Sequence, residues 1–408
     1  MPSGELPAYT EPSAATATAK TSGSGTSKRR ATWPRASIAS TRPELPVPST
    51  QPSPCAKGAA ANTKGSSISA VRSIASARRR RPSGSRLTPS KVPARKAGAD
   101  CARKILVSVA AAGWQRRFEV PASTLRASTD PVVIEKGRRL AYGAARCAEC
   151  HVNRQEAEAV TRGETPELAG GFAFPSPIAT FVAPNITPDV ETGIGSRSDA
   201  DLVGIIRHGV LPDGKALIPF MEYQQLSDDD LVALISFLRA QPPVARRNPT
   251  HDFNLIGQVV RSYVLEPAKG DAPPPAVAPA EEPTVERGAY VANAVALCAS
   301  CHTARSETDG SFLGPKFAGG GRFEVESDPA MEFVSPNLTP AEHGWIAKWS
   351  EDQFVGRFRS GVGLPGTPMP WRLFSRMSES DLRGIYRYLQ SLDPVETEQL
   401  PTLRAKET

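Results

Sequence analysis

From residue 128 onward, apolar positions gather at helical spacing in a few short bursts, and polar, Pro- and Gly-rich stretches separate them. In "LSDDDLVALISFLRAQPPV", Leu226 to Val244, the residues Leu231, Leu234, Ile235 and Leu238 lie three or four apart, which predicts an amphipathic helix. "MSESDLRGIYRYLQSLDPV", Met377 to Val395, repeats the pattern with Leu382, Ile385, Leu389 and Leu392. Ser227 with Asp230, and Ser378 with Asp381, mark the starts: a Ser hydroxyl accepts an early backbone N–H while the acid favours the positive end of the helix. Pro242-Pro243 and Pro394 mark the ends. Ser198 with Asp201 and Ser350 with Gln353 announce two more starts. A helix carrying Gly137 or Gly288 precedes each of two Cys pairs, and a missing Cβ there would let another helix approach. Phe237 and Tyr388 are the aromatic candidates to lie over those glycines. Strand alternation is scarce, so the expected fold class is all-α, with short helices and long loops. So much loop in a compact domain makes sense only if something other than side chains fills the centre.

The bursts come in two sets. "KGRRLAYGAARCAECH", Lys136 to His151, answers "RGAYVANAVALCASCH", Arg287 to His302, at an offset of 151 residues. "APNITP" from Ala183 answers "SPNLTP" from Ser335 at 152, and "IRHGV" from Ile206 answers "FRSGV" from Phe358 at 152. Two tandem copies of one domain, 128–248 and 284–396, explain this. Residues 249–283 form the linker: "FNLIGQVVRSYVL", Phe253 to Leu265, predicts a short amphipathic helix, and Pro267 to Pro283 a Pro-rich connector. Residues 397–408 are left as a tail.

Composition separates residues 1–127 from the rest. They hold 22 Lys and Arg against 5 Asp and Glu, a net of +17, whereas the remainder is net −10. Basic, Pro/Ser/Arg-rich and without apolar periodicity, this segment is expected to be disordered. It contains no recognisable nucleic-acid module, so no nucleic-acid partner is assigned. "RKILVSVAAAGW", Arg103 to Trp114, has the order of parts of a secretory signal, which suggests a start assigned too far upstream. No apolar run of about 18 residues could span a bilayer.

The chemistry lies in "CAECH", Cys147 to His151, and "CASCH", Cys298 to His302. A C-x-x-C-H motif fits a zinc knuckle, a thiol redox pair or covalent haem attachment. Zinc knuckles pair at some 15 to 20 residues, far closer than these motifs, and a thiol redox pair needs a βαβ context that is not visible. Haem fits the geometry: two thiols add to the two vinyl groups of one porphyrin, and the adjacent His reaches the iron. A haem would also supply the missing core.

The repeat nominates the opposite ligand. Of five methionines only Met221, in "PFMEY", and Met369, in "TPMPW", recur at matching places in Pro-flanked loops. The expected site is therefore Cys147, Cys150, His151 and Met221 for one haem, and Cys298, Cys301, His302 and Met369 for the second. The irons are held by His151 with Met221 and by His302 with Met369, and no catalytic residue is assigned. His208, His251 and His343 are placed in surface or loop roles. Asn185 and Asn337, formally glycosylation triplets, are expected to bond loop backbone near a haem edge. Arg207 and Arg359 have two readings, pairing with haem carboxylates or solvation at the surface.

On these motifs the sequence resembles dihaem class I c-type cytochromes, in particular the cytochrome subunits of bacterial alcohol, gluconate and aldehyde dehydrogenases. The resemblance covers about residues 128 to 396. It implies an electron carrier with two covalent haem c groups, passing electrons from a dehydrogenase or respiratory donor to an acceptor cytochrome or oxidase. Those subunits usually have three haem domains and often a membrane anchor, whereas this sequence shows two motifs and a polar end. Haem c chemistry implies a periplasmic or exported protein. The alternative is a dihaem peroxidase or other haem oxidoreductase with one displaceable axial ligand.

Overall fold

A computed structural model describes residues 116–408 except 268, 271, 307–309, 362, 399, 407 and 408. The signal-like stretch and most of the basic segment lie outside the described residues. Residues 116–127, expected to be disordered, are ordered against the first repeat. Phe118 N–H donates to Gly214 O at 2.7 Å and Ala127 N–H to Asp199 Oδ2 at 2.9 Å. Leu125 packs on the core, which explains why the chain settles here.

The first repeat runs α1 (Pro131–Ala141), α2 (Cys147–His151), α3 (Ala157–Thr161), β1 (Ala173–Pro175), β2 (Ala179–Val182), α4 (Asp199–His208) and α5 (Asp228–Ala240). The linker adds β3 (Asp252–Phe253) and α6 (Leu255–Val259), which widens into a π turn over Val260–Val264. The second repeat follows with α7 (Val285–Tyr290), a π turn over Val291–Val295, α8 (Cys298–Cys301), β4 (Arg322–Val325) and β5 (Asp328–Val334). It closes with α9 (Glu351–Arg359), α10 (Trp371–Phe374), α11 (Glu379–Gln390) and β6 (Leu403–Ala405).

The predicted caps form. Ser198 and Ser350 make full capping boxes with Asp201 and Gln353, and Ser227 and Ser378 accept from the N–H of Asp230 and Asp381. The two acids do more than face a helix dipole. Asp230 Oδ1 pairs with Lys136 Nζ at 2.5 Å, and Asp381 Oδ1 with Arg287 Nε at 2.7 Å, so each closing helix is tied to the helix that opens its repeat. Asp230 also accepts from the hydroxyl of Tyr290 at 2.6 Å, and Ser227 N–H donates to that hydroxyl at 3.1 Å, so a second-repeat residue completes a first-repeat helix start.

Gly137 and Gly288 are where the predicted helix crossings occur. A Cβ on Gly137 would lie 1.9 Å from Ala233 O and 2.8 Å from Phe237 Cβ; on Gly288 it would lie 1.8 Å from Gly384 O. The atoms nearest Gly288 belong to Gly384 and Ile385 rather than to Tyr388, whose hydroxyl accepts from Asn293 Nδ2 at 3.0 Å.

The all-α expectation needs correction. Two three-stranded antiparallel sheets, ordered β1-β2-β3 and β4-β5-β6, fill part of the regions read as loop. In each, a hairpin takes its third strand from the chain that follows the closing helix: Ala179 pairs with Phe253, and Phe333 with Leu403. The linker and the tail thus both supply strands. Most of these strands have four residues or fewer, too short for a period of two to stand out. One buried cluster joins the repeats, running from Leu226, Leu231 and Ile235 to Val291, Leu382 and Leu389. Among the described residues no helix is long and apolar enough to cross a membrane.

Candidate cofactor sites

Each C-x-x-C-H motif forms about one turn of helix, entered through a residue with left-handed backbone, Arg146 (φ 53) or Leu297 (φ 55). That conformation is uncommon outside glycine and turns the chain sharply into the motif. Residues three apart share a helix face, so the two thiols of each motif lie together. Burial pushes the Cys147 and Cys298 thiols up to about 12, and raises Cys150 and Cys301 as well. A dithiol redox pair needs a depressed thiol, so these environments oppose that chemistry. A structural zinc site needs four ligands at close quarters, and among the described residues no three His, Cys, Asp or Glu side chains gather to hold a metal ion.

The histidines are oriented alike. His151 Nδ1–H donates to Pro184 O at 2.9 Å and His302 Nδ1–H to Pro336 O at 3.1 Å. Burial holds both imidazoles below their ordinary value, with the carbonyl bond opposing it. Each ring is neutral, its proton fixed on Nδ1 and its Nε2 lone pair free for a metal. The same stretches grip the histidine backbone: Gly170 N–H donates to His151 O at 2.8 Å, and Gly319 N–H to His302 O at 2.9 Å. Both glycines have positive φ, and a Cβ would strike backbone within 2.6 Å, that of Ala183–Pro184 or of Pro336–Asn337.

The carbonyls of Pro184 and Pro336 are held by Asn185 and Asn337, buried as expected of structural turns. Asn337 Oδ1 accepts from Thr339 N–H and Oγ1 at 2.8 Å each, while its Nδ2 donates to Val395 O at 2.7 Å. Asn185 does the same with Thr187 at 2.9 and 2.8 Å and with Val244 O at 2.8 Å. Each Asn-x-Thr buckles the loop below the histidine to the chain leaving the closing helix.

The second site opens into an apolar cavity of about 1100 Å³ including its mouth, and Cys298, Cys301, His302 and Met369 all line it. Trp345, Ile346, Phe358 and Trp371 form much of the rest of the wall. A large flat apolar group with iron fits a space whose lining combines thiols, an imidazole, a thioether and aromatic surfaces. Met369 sits between Pro368 and Pro370, with its N–H donating to Thr367 Oγ1 at 3.3 Å. Met221 is placed differently. It borders a narrow cleft with Ile205, Leu217 and Pro219, and packs on the same core as Cys147, but the cleft wall contains none of the first motif's residues. Only Pro219 stiffens this loop, two residues away.

The sites meet across the repeats. Glu222, next to Met221, accepts from Ser300 Oγ of CASCH at 2.5 Å and pairs with Arg305 at 3.2 Å. In the opposite direction, Arg376 donates to Glu164 O at 3.0 Å and lies over the Tyr142 ring, and Arg372 approaches Glu158 at 3.5 Å. Arg146, which opens the first motif, lines the second cavity.

Several expectations change. The surface reading of the paired arginines fails for Arg207 and holds for Arg359, which is exposed. Arg207 is buried, donating to Leu226 O at 2.7 Å and pairing with Asp228, and Arg359 donates to Met377 O at 2.9 Å. Each pins the loop that leads into the closing helix. His343 is exposed as expected; His251 is also exposed, yet its Nδ1 accepts from Val182 N–H at 3.1 Å and its ring edges meet Phe181 and Phe253. Sequence reasoning passed over Gly170, Gly319 and Arg146. "LAGGF" from Leu168 and "FAGGG" from Phe317 carried the signal for the glycines, whereas nothing in the repeat marked Arg146, which faces Leu297 in the alignment.

The cytochrome c family profile matches residues 285–393. The chain is 31% identical to the gluconate 2-dehydrogenase cytochrome c subunit of Pantoea cypripedii over 65% of this chain and 61% of that one. It is 29% identical to the cytochrome c subunit of the quinone-dependent alcohol dehydrogenase of Komagataeibacter europaeus, over 69% of this chain and again 61% of the relative. The chain thus spans about three fifths of the length of these two dehydrogenase subunits. Against the diheme cytochrome c-type protein of Cereibacter sphaeroides it is 30% identical over 64% of this chain and 86% of that relative. The chain belongs to the c-type cytochromes, in the group that holds these dehydrogenase cytochrome c subunits and a dihaem cytochrome c.

Proposed function

We propose that the chain is a two-haem electron carrier built from two tandem cytochrome c domains, 128–248 and 284–396. Cys147 and Cys150 attach one haem c, Cys298 and Cys301 the other; His151 with Met221 and His302 with Met369 are the axial pairs. The observation that carries the reading is the second cavity, where both thiols, the oriented imidazole and a proline-braced thioether share one apolar wall. Bound there, haem iron supplies a one-electron couple, and His/Met ligation raises its potential. The protein's part is to hold Nε2 of His302 on line through the Pro336 carbonyl, to keep the Met369 loop stiff, and to exclude water with Trp345, Phe358 and Trp371. Two filled axial positions favour electron transfer over substrate binding.

The relatives named as dehydrogenase cytochrome c subunits support a dehydrogenase as donor; an acceptor cytochrome or oxidase, and the periplasmic or exported location that haem c attachment implies, complete the reading. The net −10 beyond residue 127 favours partners with basic patches, since complementary charge speeds encounter. The test is the optical spectrum of the oxidised protein with a haem count by intact mass. Two attached haems and a Met-to-iron charge-transfer band are expected; a high-spin component with peroxide turnover would overturn the carrier reading in favour of a peroxidase.

A further inference from the structure

Arg146 belongs to the first repeat by sequence and to the second site by position. It is the left-handed residue that opens CAECH, one residue before Cys147. Its side chain lines the second cavity together with Cys298, Cys301 and His302. Among the described residues its Nε is buried without a hydrogen-bond partner, and the hydroxyl of Tyr223 lies beside its guanidinium. A guanidinium stays charged in any protein setting, so this is a fixed cation at the edge of an apolar space. The position decides what the cation does. Porphyrin carboxylates lie on the edge opposite the vinyl carbons that take thiols, whereas Arg146 shares the wall with the thiols.

We propose that Arg146 is a redox-positioning residue contributed in trans between the repeats: its charge raises the affinity of the second haem for an electron. This rests on the two-haem reading above. Adding an electron makes the iron site less positive, and a cation held in a low-dielectric wall stabilises that state more strongly than water-exposed charge does. The same charge also lies near Cys147 and Cys150 of the first motif, so the first transition moves in the same direction. The reduction potentials of the two haems are therefore set partly by the packing of one repeat on the other.

The experiment is a mediated redox titration of the full haem-loaded chain, wild type against Arg146→Gln and Arg146→Lys, with haem count by mass for each. Met369→His identifies the transition that belongs to the second haem. Arg146→Gln should hold two haems and shift that same transition about tenfold toward the oxidised form, about 59 mV downward for one electron. Arg146→Lys, which keeps the charge, should stay near wild type. An unmoved second transition, or a fall as large in the Lys variant as in the Gln variant, would overturn the proposal. A wild type carrying fewer than two haems would overturn the two-haem reading instead.

Discussion

Glu222 accepts a hydrogen bond from Ser300, joining the residue after Met221 to the interior of the second C-x-x-C-H motif at 2.5 Å. The carboxylate also holds Arg305, which in turn donates to Ser300 O at 3.1 Å, so the three form a closed cycle over the motif. Glu222→Ala leaves Arg305 without its carboxylate and should cost about 1.5–3 kcal/mol, the range for hydrogen bonds to charged groups. Urea unfolding measures it; Ser300→Ala, which spares the ion pair, should cost less.

On the proposed assignment, in which Cys298 and Cys301 bond the second haem, Met369→His should leave that haem attached and lower its potential by on the order of 0.1 V within the roughly 0.8 V that axial ligands command. Spectroelectrochemistry reads the change, and an unmoved titration would remove Met369 from the iron.

Gly288→Ala places a Cβ at 1.8 Å from Gly384 O, where both atoms belong to helix backbone and neither can yield. The helices α7 and α11 must separate, at about 1–3 kcal/mol or more. Gly356→Ala, on α9 with nothing within 4 Å of the new Cβ, should instead stabilise by about 0.5–1 kcal/mol through helix propensity. Thermal melts of the two variants should move in opposite directions.

Asn337→Ala removes four hydrogen bonds of the buckle beneath His302, to Thr339, Val395 and Thr397. Thr339 N–H is buried and loses its acceptor, while the half-buried Val395 O keeps Thr339 Oγ1 at 3.5 Å, so about 1–3 kcal/mol is expected from one unsatisfied group. Loosening of the Pro336 carbonyl should also broaden the His302 imidazole resonances in NMR of the reduced protein.

His251 gives stability a pH dependence. Partial desolvation of the ring where it meets Phe181 and Phe253, and then the charge of Arg261, hold its imidazole below the ordinary value although the residue is exposed overall, and its neutral Nδ1 accepts from Val182 N–H. Its contribution is full above the unfolded value of about 6.5 and is lost as pH falls through the lower folded value. Wild type should therefore lose more Tm between pH 7.5 and 5 than His251→Asn, whose amide oxygen accepts from Val182 at any pH.

Helix boundaries were legible because capping is local: a Ser and, three positions on, an acid or amide suffice. The one-turn geometry of the C-x-x-C-H motifs, with a thiol pair beside an oriented imidazole, was legible because the spacing itself sets it. The sheets were not, because β3 and β6 are two and three residues long and find partners some 70 residues away. Arg207 and Arg359 misled for a related reason: recurrence marks a shared duty without naming it, and here the duty is bonding carbonyls 18 to 19 residues downstream. Met221 and Met369 were equivalent in the alignment but differ in the fold, since proline braces one loop on both sides and the other on one. Contacts between the repeats had no counterpart within a single copy and so left no trace in the comparison of copies.

Tyr290 is sixty residues downstream of the Asp230 carboxylate that it satisfies. A chain made from its N-terminus presents Ser227 and Asp230 long before that hydroxyl exists, and in the interval Asp230 has Lys136 but not its second partner. The upstream half alone would keep the Ser227 cap and the Lys136 pair of Asp230 but lack the Tyr290 hydroxyl, so its closing helix depends on the downstream half for one of its buried partners.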